Sequence, residues 1–159
     1  MPDMLGVGGQ QSVEPAPEPS DGEVLFHFID VGQGDSTLIL SEGGVVVIDA
    51  GPQDHADSTE RYIKSHTDTI DYLILTHPHE DHIGGLPYFL KSINVPVYGT
   101  RLTLGLVEHK LKEHNLLAET KLVRVKPGTI LSVGQNFSVE FIRTNHSIAD
   151  SVALAIKTP

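Results

Sequence analysis

A mixed α/β fold, with a sheet core and helices packed outside it, is what the 159-residue sequence predicts. Two apolar runs carry most of that reading. VVVID (Val45 to Asp49) and DYLILT (Asp71 to Thr76) are unbroken rather than alternating, as in strands buried on both faces. Order is the third observation. Strands come first, and a mixture of strands and helices follows.

Along the chain, residues 1 to 21 contain GVGGQQSVEPAPEPSDG, rich in Gly, Pro, Glu and Ser with almost nothing apolar. Burial there cannot offset the entropy of ordering, so a disordered tail is expected, followed by a domain over 22–159. VLFHFIDV (Val24 to Val31) reads as a strand and STLIL (Ser36 to Leu40) as its neighbour across the turn GQGD. After VVVID, residues 57–65 are weakly helical. DYLILT follows, then a helix over IGGLPYFLKSI whose start is softened by two glycines. TLGLVEHKLKEHNLL (Thr103 to Leu117) spaces its apolar residues as an amphipathic helix does. Strands are expected over Lys121–Val125, Phe137–Arg143 and Ser151–Lys157.

Composition bounds the function. Net charge is −10, which argues against a broad basic surface for gripping nucleic acid. With no cysteine, disulfides and thiolate metal sites are both excluded, so any metal must be held by nitrogen and oxygen. No apolar stretch approaches the roughly 20 residues that span a bilayer. The first residues lack the pattern of a signal peptide, and a cytoplasmic protein is expected.

The chemistry concentrates in THPHEDHIGG, Thr76 to Gly85, where His77, His79, Glu80, Asp81 and His82 follow a buried strand. His77 and His79 are one residue apart, so in extended chain both project to the same side. Pro78 favours that state for His77. Asp81 and His82 fall at the turn into a helix and can face a second point nearby, so one short loop can serve two metals. Asp81 also lies where a carboxylate can cap the incoming helix. GQGD (Gly32 to Asp35) lacks the Lys-Ser/Thr of a phosphate loop, and a tight turn explains it as well as a place at the site mouth. The histidines at 27, 55, 66, 109 and 114 have no ligand partner in sequence and read as surface or ordinary core.

THPHEDHIGGLPYFL resembles the signature loop of the metallo-β-lactamase superfamily of hydrolases. The stretch from NVPVYGTRLTLGLVEHKLKEHNL to KLVRVKPGTILSVGQNFSVEFIRTNHSIADSVALAIKTP is similar to ribonuclease J, a likeness covering residues 76–159. HFIDVGQGDSTLI and VVVIDAG, within residues 24–51, instead resemble the metallo-β-lactamase-like domain of competence DNA-uptake proteins and their secreted relatives. Their loop commonly reads HPH, whereas ribonuclease J usually has HGH and opens with a segment of the kind GGVGEIG. The halves favour different subfamilies, with a seam near the metal loop, as a divergent natural member or a composite chain would both produce.

The resemblance implies the N-terminal half of an αβ/βα sandwich. It implies a first metal site of His77, His79 and, from TNHS, His146, and a second containing Asp81 and His82. Asp49 matches a buried acid that orients the loop without binding metal, and with Asp81 and His82 it forms the implied catalytic group. Ser147 and Asp150 fall inside the matched stretch, and Ala149 stands where ribonuclease J usually has proline. Three imidazoles hold zinc and leave room for a water whose pKa falls to around 7. One or two zinc ions are expected, with manganese as an alternative at the second site. For ribonuclease J this means hydrolysis of RNA, both endonucleolytically and from the 5′ end. A bridging aspartate, a late histidine, an RNA-clamping insertion and an oligomerisation domain are not found before Pro159. The expectation is therefore a fragment that hydrolyses RNA poorly alone and forms homo-oligomers only at full length. Two alternatives stand beside it: a competence-type phosphodiesterase acting on DNA, and a metal-binding module without turnover.

Overall fold

The computed structural model describes residues 19–135 and 137–159. The tail expected over residues 1–21 lies almost wholly outside them. Among the described residues, nine strands and four helices follow one another in an order that explains the layers. The strands are β1 (Val24–Phe28), β2 (Thr37–Ser41), β3 (Gly44–Ile48), β4 (Tyr72–Ile74), β5 (Val97–Gly99), β6 (Leu122–Arg124), β7 (Ile130–Val133), β8 (Phe137–Arg143) and β9 (Val152–Lys157). The helices are α1 (Ala56–Lys64), α2 (Glu80–Ile83), α3 (Leu86–Leu90) and α4 (Arg101–Glu113), with a 3-10 turn at Gln53–His55.

The first six strands form one sheet in the order β1-β2-β3-β4-β5-β6. β1 to β3 are antiparallel hairpin neighbours, whereas β3 to β6 run parallel. Parallel neighbours need crossovers, and α1, the α2–α3 pair and α4 supply them. β7, β8 and β9 form a second, antiparallel sheet.

The period-2 alternation of each strand sorts its side chains between two cores. Leu38, Leu40, Val47, Leu73, Leu75 and Val97 face the helices, where they meet Ile63, Leu86, Phe89, Leu104, Val107 and Leu111. Ile39, Val46 and Ile74 face the other way, onto Val133, Val139, Phe141 and Val152 of the second sheet. The unbroken runs VVVID and DYLILT thus have their physical reason: each supplies both cores. Helices, sheet and sheet are three of the four layers of an αβ/βα sandwich. Among the described residues, no helix is long and apolar enough to cross a membrane.

Several boundaries depart from expectation. β1 stops at Phe28, three residues before Val31, because Ile29 already donates its N–H to Ser36 O (3.0 Å) and closes the turn. Of the helix expected over IGGLPYFLKSI only Leu86–Leu90 forms, and a separate short helix, Glu80–Ile83, precedes it across Gly84–Gly85. A Cβ at Gly85 would lie 2.5 Å from Ala50 O, so the glycine is there for close approach to the chain after β3. α4 starts two residues earlier than expected, at Arg101. β5 and β7 were not expected at all.

Candidate metal centre

The site sits where β3 and β4 end, at the carboxyl edge of the parallel strands, the usual place for function in such sheets. Asp49 follows β3 directly. Its φ of 57° is left-handed, a conformation Asp tolerates better than most residues, and its N–H reaches Ile74 O at 2.8 Å. Its carboxylate is 1% exposed and ties three groups together. Oδ1 accepts the Thr76 N–H (2.8 Å), while Oδ2 accepts the Thr76 hydroxyl (2.6 Å) and His82 Nδ1–H (2.8 Å). Burial pushes this carboxyl up, and the bonds and charge of His82 and the bonds from Thr76 pull against it.

These bonds decide which nitrogens are free. The Thr76 hydroxyl has one hydrogen, already given to Asp49, so it can only accept from His77 Nδ1 at 2.9 Å. His77 therefore carries its proton on Nδ1 and presents a bare Nε2. In its neutral form His82, donating from Nδ1 to Asp49, likewise presents a bare Nε2.

His77 Nε2 lies 3.0 Å from His146 Nε2, and ligand atoms of His77, His79 and His146 all fall within 4.8 Å of one another. Two nitrogens on one tetrahedral zinc sit about 3.3 Å apart, from bonds of roughly 2.0–2.1 Å, close to the His77–His146 separation, and three imidazoles are a donor set that zinc takes. Burial, then the neighbouring His82, His146 and His79, lowers His77 to about 4, although Asp81 opposes this. The imidazole is thus neutral and able to ligate at neutral pH.

His146 comes from the β8–β9 loop, which is fixed from two sides. Val152 N–H donates to Thr76 O (3.0 Å), tying the loop's end to the metal loop. Asp150, at a φ of 65°, accepts the Leu102 N–H on Oδ2 (3.0 Å) at the start of α4, and its carbonyl accepts the Thr100 hydroxyl (2.7 Å).

Asp81 and His82 come together as expected of neighbours at a turn: Asp81 Oδ2 is 3.9 Å from His82 Nε2. The capping role anticipated for Asp81 is corrected. His79 occupies the cap position of α2, no side chain caps that helix, and Asp81 sits inside the first turn with its carboxylate toward His82. Burial alone would depress the His82 imidazole, but the bond and charge of Asp49, then Asp81 and Asp35, outweigh it and raise it. Asp35 Oδ2 lies 3.7 Å from His82 Nε2, so the GQGD turn does stand at the site mouth. An open cavity of about 400 Å³ joins Asp35, His77, His82, Asn145 and His146, with Phe28 at its rim.

Of the other histidines, His27 and His66 pack with Tyr62 away from the metal loop, and His114 packs on Tyr88. Thr76, Thr100, Asp150 and Asp35 were not singled out as site residues. Thr76 lies in the quoted metal loop, Asp150 in the matched stretch and Asp35 in GQGD, whereas Thr100 carried no signal.

The His77 shift has a testable sign. Its folded value lies below the ordinary 6.5, so between pH 6.5 and about 4 the ion-free folded chain binds fewer protons here than the unfolded one. The stability this group leaves intact above pH 6.5 is lost as pH falls through that window. His82, raised instead, acts oppositely. Replacing His77 by Gln should flatten the fall of the urea midpoint between pH 6.5 and 4, measured with chelator present. An unaltered slope would refute the assignment.

The sequence profile of the metallo-beta-lactamase superfamily matches residues 29–148. The chain belongs to the metallo-β-lactamase superfamily. That membership implies divalent metal binding, in keeping with the histidine cluster. Among curated proteins, ribonuclease J of Synechocystis is 46% identical over 99 residues, covering 62% of this chain and 16% of that protein. Ribonuclease J of Thermus thermophilus is 35% identical over 165 residues, covering 96% of this chain and 28% of that protein. The chain therefore spans less than a third of the length of either relative. Among solved structures, a Cronobacter sakazakii metallo-β-lactamase with a HARLDQ motif superposes with a TM-score of 0.66 at 20% identity, over 89% of this chain and 58% of that one. A Thermotoga maritima flavoprotein reaches 0.67 at 22% identity, over 77% of this chain and 30% of that one. At such identities these two speak for the fold alone.

Proposed function

We propose that this superfamily domain is the metal-binding part of a ribonuclease J-like nuclease that hydrolyses RNA phosphodiesters. His77, His79 and His146 would hold zinc, and Asp81 and His82 would contribute to a second site for zinc or manganese. The observation that carries the reading is the cluster of three imidazoles, two of which, His77 and His146, line an open cavity, in a chain with a ribonuclease J relative at 46% identity. When bound, such metals polarise a phosphate and lower the pKa of an attacking water. The chain's own residues hold the donors in place: Asp49 and Thr76 set the His77 tautomer, Asp49 sets that of His82, and Asp150 anchors the loop bearing His146. RNA is gripped elsewhere than on a broad surface of this chain, since a net charge of −10 repels a polyanion. In this reading residues 22–159 are the N-terminal half of a hydrolase domain, and the protein is cytoplasmic.

A chimera tests it. Residues 22–159 would replace the matching segment of the Thermus thermophilus ribonuclease J, and single-stranded RNA and DNA oligonucleotides would be offered with zinc and manganese. The expected result is metal-dependent cleavage of RNA, lost on replacing His77 by Ala. A chimera that holds zinc yet cleaves DNA in preference would favour the competence-type reading, and one that holds zinc yet cleaves neither would favour a binding module.

A further inference from the structure

We propose that Asp35 is a ligand of the second divalent cation, completing with His82 and Asp81 a site of one nitrogen and two carboxylates. This rests on the metal reading of the histidine cluster but adds a residue that no part of that reading requires.

The first observation is how firmly the GQGD turn is set on the metal loop. Asp35 N–H donates to Asp81 O at 3.4 Å. Gly34, at a φ of 128°, runs so close to that same carbonyl that a Cβ there would collide with it. Only a glycine lets the turn come this near, and the carboxylate that follows is thereby delivered to the site.

The second observation is the nitrogen that waits there. His82 is 7% exposed, and its Nδ1 is committed to Asp49. Its Nε2 has no hydrogen-bond partner among the described residues. It lies 3.7 Å from Asp35 Oδ2 and 3.9 Å from Asp81 Oδ2. Neither separation is within the ordinary 2.7–3.2 Å of a hydrogen bond. Both separations instead suit pairs of donors on one ion, since two bonds of roughly 2.1 Å span at most about 4.2 Å. A cation bound among the three would offset the charge of the two carboxylates. Mixed nitrogen and oxygen donors suit zinc or manganese.

The experiment is a manganese titration of the zinc-loaded 159-residue chain, followed by electron paramagnetic resonance of free Mn2+. The parent should take up a manganese ion beyond its zinc. Asp35→Asn, a nearly isosteric change at a largely exposed side chain, should weaken that uptake at least roughly tenfold, the lower end of what even an outer partner contributes. It should leave the zinc content unchanged. Asp54→Asn removes an equal charge from the neighbouring cavity without facing His82. It should shift the affinity less than about twofold if screened charge alone is at work. Equal weakening by Asp54→Asn, undiminished uptake in Asp35→Asn, or no manganese taken up by the parent would each overturn the assignment. Loss of zinc from the parent itself would overturn the histidine site instead.

Discussion

Replacing His79 by Ala should leave no tightly bound metal after exhaustive dialysis, against about one zinc per chain in the parent, the content expected of one closed set of three nitrogens. His79 is the most telling of the three because its role can be separated from folding. His77 is 8% exposed and bonded to Thr76, so its loss disturbs packing as well as binding. His79 is half-buried and its ring makes no hydrogen bond among the described residues. Without it, His77 and His146 remain 3.0 Å apart but offer only two donors. Elemental analysis gives the stoichiometry, and the urea midpoint of the ion-free variant should match that of the ion-free parent. A variant that keeps about one zinc would remove His79 from the ligand set. Two tightly held ions in the parent would show that the second site is stronger than Asp81 and His82 imply.

The parts of this molecule legible in its sequence are those where one chemical pattern has one structural cause. VVVID and DYLILT are apolar without alternation because Val46 and Ile74 face one core while Val47 and Leu73 face the other. The spacing of His77 and His79 was readable because extended chain leaves little choice of direction. What escaped was short or made by contacts distant in sequence. β5 is three residues, Val97–Gly99, enclosed by Pro96 and Thr100, too brief for any period to show. β7, Ile130–Val133, is defined by its pairing with β8 rather than by its own composition.

The anchoring of His146 illustrates the second kind. Asp150 reaches the start of α4, 48 residues earlier in the chain, through the Leu102 N–H, and nothing local to TNHSIADS announces that bond. GQGD lay between the two cases. Its glycines were read as a turn, which they are, but Gly34 is also required by the Asp81 carbonyl in α2. Asp81 shows the reverse error. A carboxylate near a helix start suggested a cap, and tertiary geometry turned it toward His82 instead.

Asp49→Asn should weaken metal binding at both positions by about 10- to 100-fold, although Asp49 is proposed to bind neither ion. The argument runs through protons. Asp49 accepts three hydrogen bonds on two oxygens, whereas Asn has one oxygen and an NH2 group that only donates. If the amide oxygen keeps the Thr76 N–H, the NH2 group meets the Thr76 hydroxyl and His82 Nδ1. His82 must then accept at Nδ1 and carry its proton on Nε2, the nitrogen that faces Asp35 and Asp81, which closes it as a ligand. The Thr76 hydroxyl, now accepting from Asn, is free to donate to His77 Nδ1, and that ring reverses as well. One carboxylate thus sets the tautomers of two imidazoles, one directly and one through a threonine. Nitrogen-15 spectra of the histidine rings in the ion-free protein should show both reversals, and zinc and manganese titrations should show the matching losses. Thr76→Val separates the branches. It cuts the link to His77 but leaves the Asp49–His82 bond, so it should weaken zinc and spare manganese. Equal losses of the two metals in Thr76→Val, or unchanged ring tautomers in Asp49→Asn, would contradict this chain of bonds.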